Sequence, residues 1–504
     1  MSLRYTNKRS GARFVVTVIT FLCSRSGLAQ CELDKLLPDD AAPSQTFGVS
    51  VAIAGDLVIA GSIPLNQQAA GAAYIFMRTG SNWNQEARLT SEDGAPHDEF
   101  GVAVDICGDY AVVGARLDDD NGPSSGSAYV FHRVGTNWFE MPKLTASDAS
   151  SNDQFGVSVA ISCTPDGDRI VVGARNSSDF GTSSGSAYVF RREGDLWVEE
   201  AKLLASDGTA WDLFAFSVAM DDQRIAIGAR GLLGAGDGLG AVYLYTRRDT
   251  TWTEETKLSA SDEQPGDFFG YSVAVNGGLI GIGATSVDDD GPSSGAAYIF
   301  RLTETGWQEE QKLYSSDISQ ADGMGFSVGI AGDTALVGAW FGDSDRVEDS
   351  GMVYRFEHQG DSWVETARIA ASDAGDGDQF GRAMDFSGDL IVVGAPFDDD
   401  AGASSGGAYV FGVTGDCNEN GLLDICEIAD NPKLDMNDNA ILDECESPEC
   451  PWDLDENGVV GASDLLSLLV QWGTDPGGPP DFDDDGNVGA SDLLALLVNW
   501  GRCP

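Results

Sequence analysis

Between residues 47 and 411 short apolar runs alternate with breaks rich in Gly, Asp and Ser, and the whole pattern recurs every 53 to 59 residues. Copies begin at Phe47, Phe100, Phe155, Phe214, Phe269, Met324 and Phe380. Each reads FG-x-S-V-A, a G-D turn, a V-V-G-A run, G-A-Y-V-F, a Trp, and then K-L-x-A-S-D. The Trp falls at Trp83, Trp138, Trp197, Trp252, Trp307 and Trp363. Runs such as Ala128-Tyr129-Val130-Phe131 are short, rich in strand formers and bounded by turn residues, which predicts strands. Four strands per copy at this period predict the blades of a β-propeller. A parallel solenoid is the rival, but a solenoid has no need to close.

The pattern contains its own closure. The seventh copy stops at Phe411 without a fourth strand. Near the N-terminus, Lys35-Leu36-Leu37-Pro38-Asp39-Asp40 aligns with Lys202-Leu203-Leu204-Ala205-Ser206-Asp207. The last Asp lies seven residues before the next copy in each case, as Asp40 before Phe47 and Asp207 before Phe214. Residues 31–38 are therefore expected to complete the last blade beside strand 408–411, removing an exposed sheet edge.

The unit resembles the FG-GAP repeat, the blade of integrin α-chain propellers and of many bacterial exported proteins. Phe-Gly at 47–48, 100–101, 155–156, 269–270 and 380–381 carries one half of the likeness. Gly-Ala at 114–115, 173–174, 228–229, 283–284, 338–339 and 394–395 carries the other, with Pro396 completing it once. The resemblance covers residues 31 to about 414 and implies an all-β, seven-bladed propeller over 30–414. Integrin blades hold calcium in a D-x-D-x-D-G loop. Here that loop is a short turn, such as Ala54-Gly55-Asp56 or Cys107-Gly108-Asp109, without a ligand set.

Charge narrows the function. The chain of 504 residues carries 81 acidic and 29 basic residues, a net charge of −52. Nucleic-acid binding needs basic patches, so no nucleic-acid partner is expected. No apolar run reaches the 18 residues a membrane-spanning helix requires. Three histidines leave little for His-based catalysis or zinc.

Strand direction alternates within a blade, so loops after the second and fourth strands share a face. Those loops carry Asp118-Asp119-Asp120, Asp288-Asp289-Asp290, Asp398-Asp399-Asp400, Asp148, Asp153, Asp262, Asp267, Asp373, Asp376 and Asp378. The other face receives Arg78, Arg133, Arg191, Arg192, Arg247, Arg248, Arg301 and Arg355. The propeller is expected to be electrically polarised. Any one acidic triplet reads as solvated surface, and the acidic face as a whole as the binding surface, for an unknown protein or glycan. Gly122-Pro123-Ser124-Ser125-Gly126 matches G-x-S-x-G, as do 181–185, 291–295 and 402–406. A nucleophile elbow needs a strand-to-helix turn and a histidine, and no enzyme needs it four times, so the motif reads as a Gly/Ser turn.

The two ends differ from the middle. Arg4, Lys8, Arg9 and Arg13 precede an apolar run over 14–23, and Gly27-Leu28-Ala29 offers small residues for cleavage before Gln30. Residues 1–29 thus read as an export signal, which predicts a secreted, extracellular or cell-surface protein. Lipidation at Cys31 is the alternative, against which Gln30 stands. Removing Cys23 with the signal leaves eight cysteines in an oxidising compartment, where disulfides are expected. Their pairing is open.

After Gly415 the chain reads as calcium loops. Asp416, Asn418, Asn420, Leu422 (by its carbonyl), Asp424 and Glu427 occupy positions 1, 3, 5, 7, 9 and 12, with Gly421 at the sharp turn. Asp435, Asn437, Asn439, Ile441 (carbonyl), Asp443 and Glu446 repeat the set, with Ala440 at the turn. Alternating oxygen ligands suit a hard cation. With Cys417, Cys426 and Cys445 interleaved, residues 415–447 resemble thrombospondin type 3 repeats.

Residues 448–504 hold two more loops, Asp453, Asp455, Asn457, Val459 (carbonyl) and Asp464, then Asp481, Asp483, Asp485, Asn487 (carbonyl) and Asp492. Each leads into an apolar segment, 464–472 or 492–500, with helical spacing. Leu465, Leu468, Leu469 and Trp472 mark the packing face. These loop–helix units resemble a dockerin module, an α-helical EF-hand-like fold. The resemblance implies Ca2+ as cofactor and a cohesin-like or other surface protein as partner. It places Ala462, Ser463, Ala490 and Ser491 at recognition positions. Cys450 and Cys503 bracket the unit and are expected to clasp its ends.

The overall reading is an exported, non-catalytic, calcium-binding adhesion or scaffold protein. The alternative is an extracellular polysaccharide-active enzyme, since dockerins often follow glycoside hydrolases or lyases. That alternative needs a unique catalytic cluster, and the tempting motifs here all recur with the repeat.

Overall fold

The computed structural model describes residues 31–412, apart from 67, 81, 165–166, 233–237, 249–250 and 345–346, and in the tail 459–460, 462–472, 488–489, 493, 496–497 and 501–502. Seven four-stranded antiparallel sheets form the seven blades. In blade 2 the strands are Phe100–Cys107, Tyr110–Ala115, Ser127–Val134 and Asn137–Glu140, running from the central channel outward.

Strand position follows sequence character. Second strands such as Leu57–Ser62, Leu279–Ala284 and Leu390–Ala395 are buried at every residue and read as unbroken apolar runs. Fourth strands such as Leu196–Leu203 lie at the rim and alternate exposed with covered residues. First strands are bulged just after the Phe-Gly pair, as between Phe155 and Ser158.

The core is divided among the seams. Seven hydrophobic clusters each draw on two neighbouring blades. The repeat phenylalanine is covered in six of the blades, packed edge-on between two aromatics of its own blade, and the buried Met324 takes its place in blade 6. Phe155 lies 5.5 Å from Tyr188 and 6.0 Å from Phe190. No blade buries its own apolar surface alone, so the ring is one cooperative unit.

The ring closes as the sequence predicts. Cys31–Leu36 is the fourth strand of blade 7 and pairs antiparallel with Gly407–Gly412, from Cys31 opposite Gly412 to Leu36 opposite Ala408. A second tie crosses one seam. Cys107, the last residue of the first strand of blade 2, and Cys163, just past the first strand of blade 3, form a disulfide with Cα atoms 6.0 Å apart. Sequence alone does not fix which cysteines pair, and these two stand 56 residues apart.

In the tail, Val459–Val460 pairs antiparallel with Gly501–Arg502. The helix spans Ala462–Val470, two residues earlier at each end than the apolar pattern suggests. Of its expected packing face, Leu468 is buried, whereas Leu469 and Trp472 are nearly half exposed. Among the described residues, no helix is long and apolar enough to cross a membrane.

Candidate functional site: the loop face and the channel mouth

The loops after second and fourth strands do share a face, and most of their acids hold the ring together. Around blade 7, Lys35 Nζ lies 2.8, 2.7 and 2.7 Å from Asp373, Asp398 and Asp400. These three carboxylates could hold a metal ion by their spacing, but the ammonium group stands among them. Burial opposes the charge on Lys35, and the three hydrogen bonds outweigh it, raising its pKa. The hydroxyl of Tyr409 lies 2.8 and 2.6 Å from oxygens of Asp373 and Asp398 and shares its one proton between them.

The cluster recurs at other seams. Lys143, Asp93, Asp118, Asp120 and Tyr129 form it in blade 2, and Lys312, Asp262, Asp289 and Tyr298 in blade 5. The Asp of K-L-x-A-S-D always comes from the preceding blade, so each cluster is a joint. A second set, Asp98, Asp153, Asp267 and Asp378, accepts the backbone N–H three residues earlier. Burial raises the pKa of all four.

The opposite face is less basic than its arginine count implies. Arg133 pairs with Glu86, Arg247 with Glu200, Arg301 with Glu310, and Arg355 with Glu357. Glu86, Glu200 and Glu310 reach these arginines from rim strands, the first two across a seam, and Glu357 from Arg355's own strand, which corrects the expected polarity.

The four G-x-S-x-G segments are seams too. Ser124, Ser183, Ser293 and Ser404 have φ between 51° and 56°. That left-handed turn aims carbonyls at the next blade. Ser124 and Ser125 accept from the N–H groups of Gln154 and Phe155, at 3.1 and 3.0 Å. Gly126 then bridges Phe155 in parallel.

The first strands enclose a central channel of about 330 Å³. Its wall is mostly aliphatic, with Asn276 and Phe386 at the ends of their strands, and Asp105 and Asp385 replace the usual Ala of FG-x-S-V-A. Asp105 accepts from the N–H groups of Ile106 and Ile161, and Asp385 from that of Ile53. Burial, reinforced by the charge of Asp385, pushes Asp105 up to about 8. Burial pushes Asp385 up to about 6. A carboxyl that holds its proton in the folded state and releases it when unfolded loses stability as pH rises. Stability is therefore expected to fall between about pH 4 and pH 8. Asp105→Asn should raise stability at pH 8 by about 1–2 kcal/mol, less than the full shift because the group borders an open channel. The gain should vanish at pH 4. Melting curves of both proteins across this range check it; a variant less stable at every pH would contradict it.

At the loop-face end of the channel the lining changes. Three positions per blade converge there: the residue before Phe-Gly, the residue after it, and the residue after Gly-Ala. They contribute Arg116, Arg175, Arg230 and Arg382 from blades 2, 3, 4 and 7. Blades 4 to 6 add Phe216, Tyr271, Phe326 and Trp340 as an arc with successive centroids 5.0, 4.8 and 4.4 Å apart. Arg230 lies over Phe216 at 4.4 Å, and Arg382 over Trp340 at 5.2 Å. Burial, with repulsion from Arg116 and Arg230, lowers Arg175 to about 10. Burial also lowers Arg230 and Arg382. Sequence reading missed this site because its residues stand where copies differ. The signal was there: these positions read Val, Val, Val, Phe, Tyr, Phe, Arg and Ile, Arg, Arg, Arg, Thr, Trp, Pro, between neighbours that barely change.

Of the expected calcium ligands, the structure places Val459 in its short strand and Asp464 in the helix Ala462–Val470. Asp416, Asn418, Asn420, Leu422, Asp424, Glu427, Asp435, Asn437, Asn439, Ile441, Asp443, Glu446, Asp453, Asp455, Asn457, Asp481, Asp483, Asp485, Asn487 and Asp492 lie outside the described residues, as do the export signal and the Cys450–Cys503 clasp.

Seven segments, 32–76, 83–131, 138–190, 197–245, 252–300, 307–356 and 363–411, match the profile of the FG-GAP repeat. No curated protein matches the chain. Each matched segment begins in the fourth strand of one blade and ends in the third strand of the next.

Proposed function

This chain belongs to the FG-GAP repeat family, and from that membership we propose an exported, non-catalytic binding and adhesion scaffold. The propeller displays a ligand face, and a calcium-ordered tail docks it to an extracellular or cell-surface partner. The observation that carries the display role is the division of labour on the loop face. Repeated polar groups, the Lys–Asp–Tyr clusters and Gly/Ser turns, join the blades, while variable residues gather at the channel mouth. A rigid ring with a variable centre suits recognition. The tail's part rests on its spaced oxygen ligands, which suit calcium.

Calorimetric titration of the chelator-treated full chain with Ca2+ tests the tail. Binding near four ions is expected, one each for the loops starting at Asp416, Asp435, Asp453 and Asp481. Asp453→Ala with Asp481→Ala should remove about half of that binding and leave the propeller's melting unchanged. Binding that survives removal of all four leading ligands and stabilises the propeller would move calcium to the blades. No binding at all would end the calcium reading.

A further inference from the structure

We propose that the channel mouth on the loop face binds an oxyanion group, a carboxylate, sulfate or phosphate, carried on a small and otherwise uncharged ligand. The proposal deepens the display reading, on whose face the site lies.

The first ground is a local charge imbalance opposite to that of the whole molecule. Acids outnumber bases 81 to 29 in the chain, yet four arginines from four blades converge on this mouth. Among the described residues, one carboxylate bonds to them, Glu99, at 2.6 Å from Arg116. Arg175 and Arg382 donate to Gln154 and Gln379, at 2.9 and 3.0 Å, amides that cancel no charge. The buried Nε of Arg230 has no acceptor among the described residues. Elsewhere on the propeller, arginines such as Arg133 and Arg301 meet glutamates. Like charges half-buried together destabilise a fold, and a bound anion would offset that.

The second ground is how the guanidinium groups are held. Arg230 and Arg382 lie against aromatic rings, Phe216, Phe268 and Tyr271 for the former, Phe326, Trp340 and Phe397 for the latter. Stacking covers the face of a guanidinium and leaves its in-plane N–H groups to a ligand. Such forks match the two oxygens of a carboxylate or phosphate.

The third ground concerns size. The mouth is encircled by the acidic loops, including the exposed Asp119 and Asp399. A polyanion would be repelled by that rim, whereas one oxyanion on a neutral body can pass it.

The test uses the full chain and calorimetric titration with glucuronate, glucose 6-sulfate, glucose 6-phosphate and glucose. At least one anionic sugar should bind saturably and glucose should not. The order among the three identifies the oxyanion. Arg230→Gln with Arg382→Gln should weaken binding at least about tenfold. Without ligand the double variant should melt no lower than the parent, since repulsion is relieved; a purely structural role would lower it. Arg78→Gln, on the opposite face, should change nothing. If the double variant fails to fold, Arg382→Lys keeps the charge, loses the fork and should still weaken binding. Failure of all three sugars to exceed glucose, or binding unchanged in the arginine variants, overturns the proposal. The calcium titration does not involve the mouth, so each reading can fail without the other.

Discussion

Removing residues 31–36 is expected to abolish the cooperative melting of the propeller. The deletion takes away the fourth strand of blade 7 and bares the backbone edge of Gly407–Gly412. Leu36, 2% exposed, leaves the cluster shared by blades 7 and 1. A buried leucine contributes about 2–5 kcal/mol. Lys35 leaves as well, so Asp373, Asp398 and Asp400 face one another within 4.8 Å without their cation. Breaking such a pair costs about 3–5 kcal/mol when buried; Lys35 and Asp398 are well covered, while Asp373 and Asp400 are open to water, which lessens the sum. Glu32 also releases Ser372, whose N–H and hydroxyl it accepts at 2.9 and 3.0 Å. These losses together match the whole stability of an ordinary domain, about 5–15 kcal/mol. The deletion variant should aggregate or melt without a sharp transition, and a synthetic peptide of residues 31–40 should restore part of the transition. A sharp melt within a few degrees of the intact chain would show that the seam is dispensable.

The second large effect is expected at Gly114. A Cβ there would lie 2.0 Å from the carbonyl oxygen of Gly156 in the next blade and 3.0 Å from its carbon. Both obstacles are backbone, so no rotamer change relieves the clash and the two blades must part. Gly114→Ala should cost about 3–5 kcal/mol, lowering Tm by about 5 °C for a ring of this size. Gly281 is the internal control. It also lies in a second strand, but its Cβ would meet only side-chain carbons of Ile299, Val328 and Ile330 at 3.9 Å. Gly281→Ala should be neutral or slightly stabilising. Equal effects from the two changes would show that seam spacing is not what the glycine protects.

The fold was legible because every seam needs the same residues. Phe155, Gly156, Tyr188 and Lys202 recur in kind wherever two blades meet, so repetition in sequence reports repetition in contact. Even the closure at Lys35 could be read, since it reuses a joint seen elsewhere. The loop-face acids misled for the same reason. Asp118 and Asp398 repeat because tyrosines and lysines need them, and only the folded ring reveals that use. The expected polarity between the faces fails at Glu86, Glu200 and Glu310, which sit on rim strands and not in the loops. The channel mouth was hard to read because Arg116, Arg175, Arg230 and Arg382 are more than fifty residues apart, and although the first three each follow Gly-Ala, a lone arginine at that position carries no chemistry until its counterparts stand beside it. Closure of the ring alone brings them together.

The repeat unit and the blade are out of step by one strand, and this has a bearing on how such a chain can evolve. A gene segment encoding one matched unit carries the outer strand of one blade and the inner three of the next. Duplicating or deleting a whole unit therefore leaves the first copy still offering an outer strand and the last copy still lacking one. The two termini remain complementary whatever the copy number. Ring size can change in one genetic step, without any new sequence at the join, while substitutions at the mouth diversify independently in each copy.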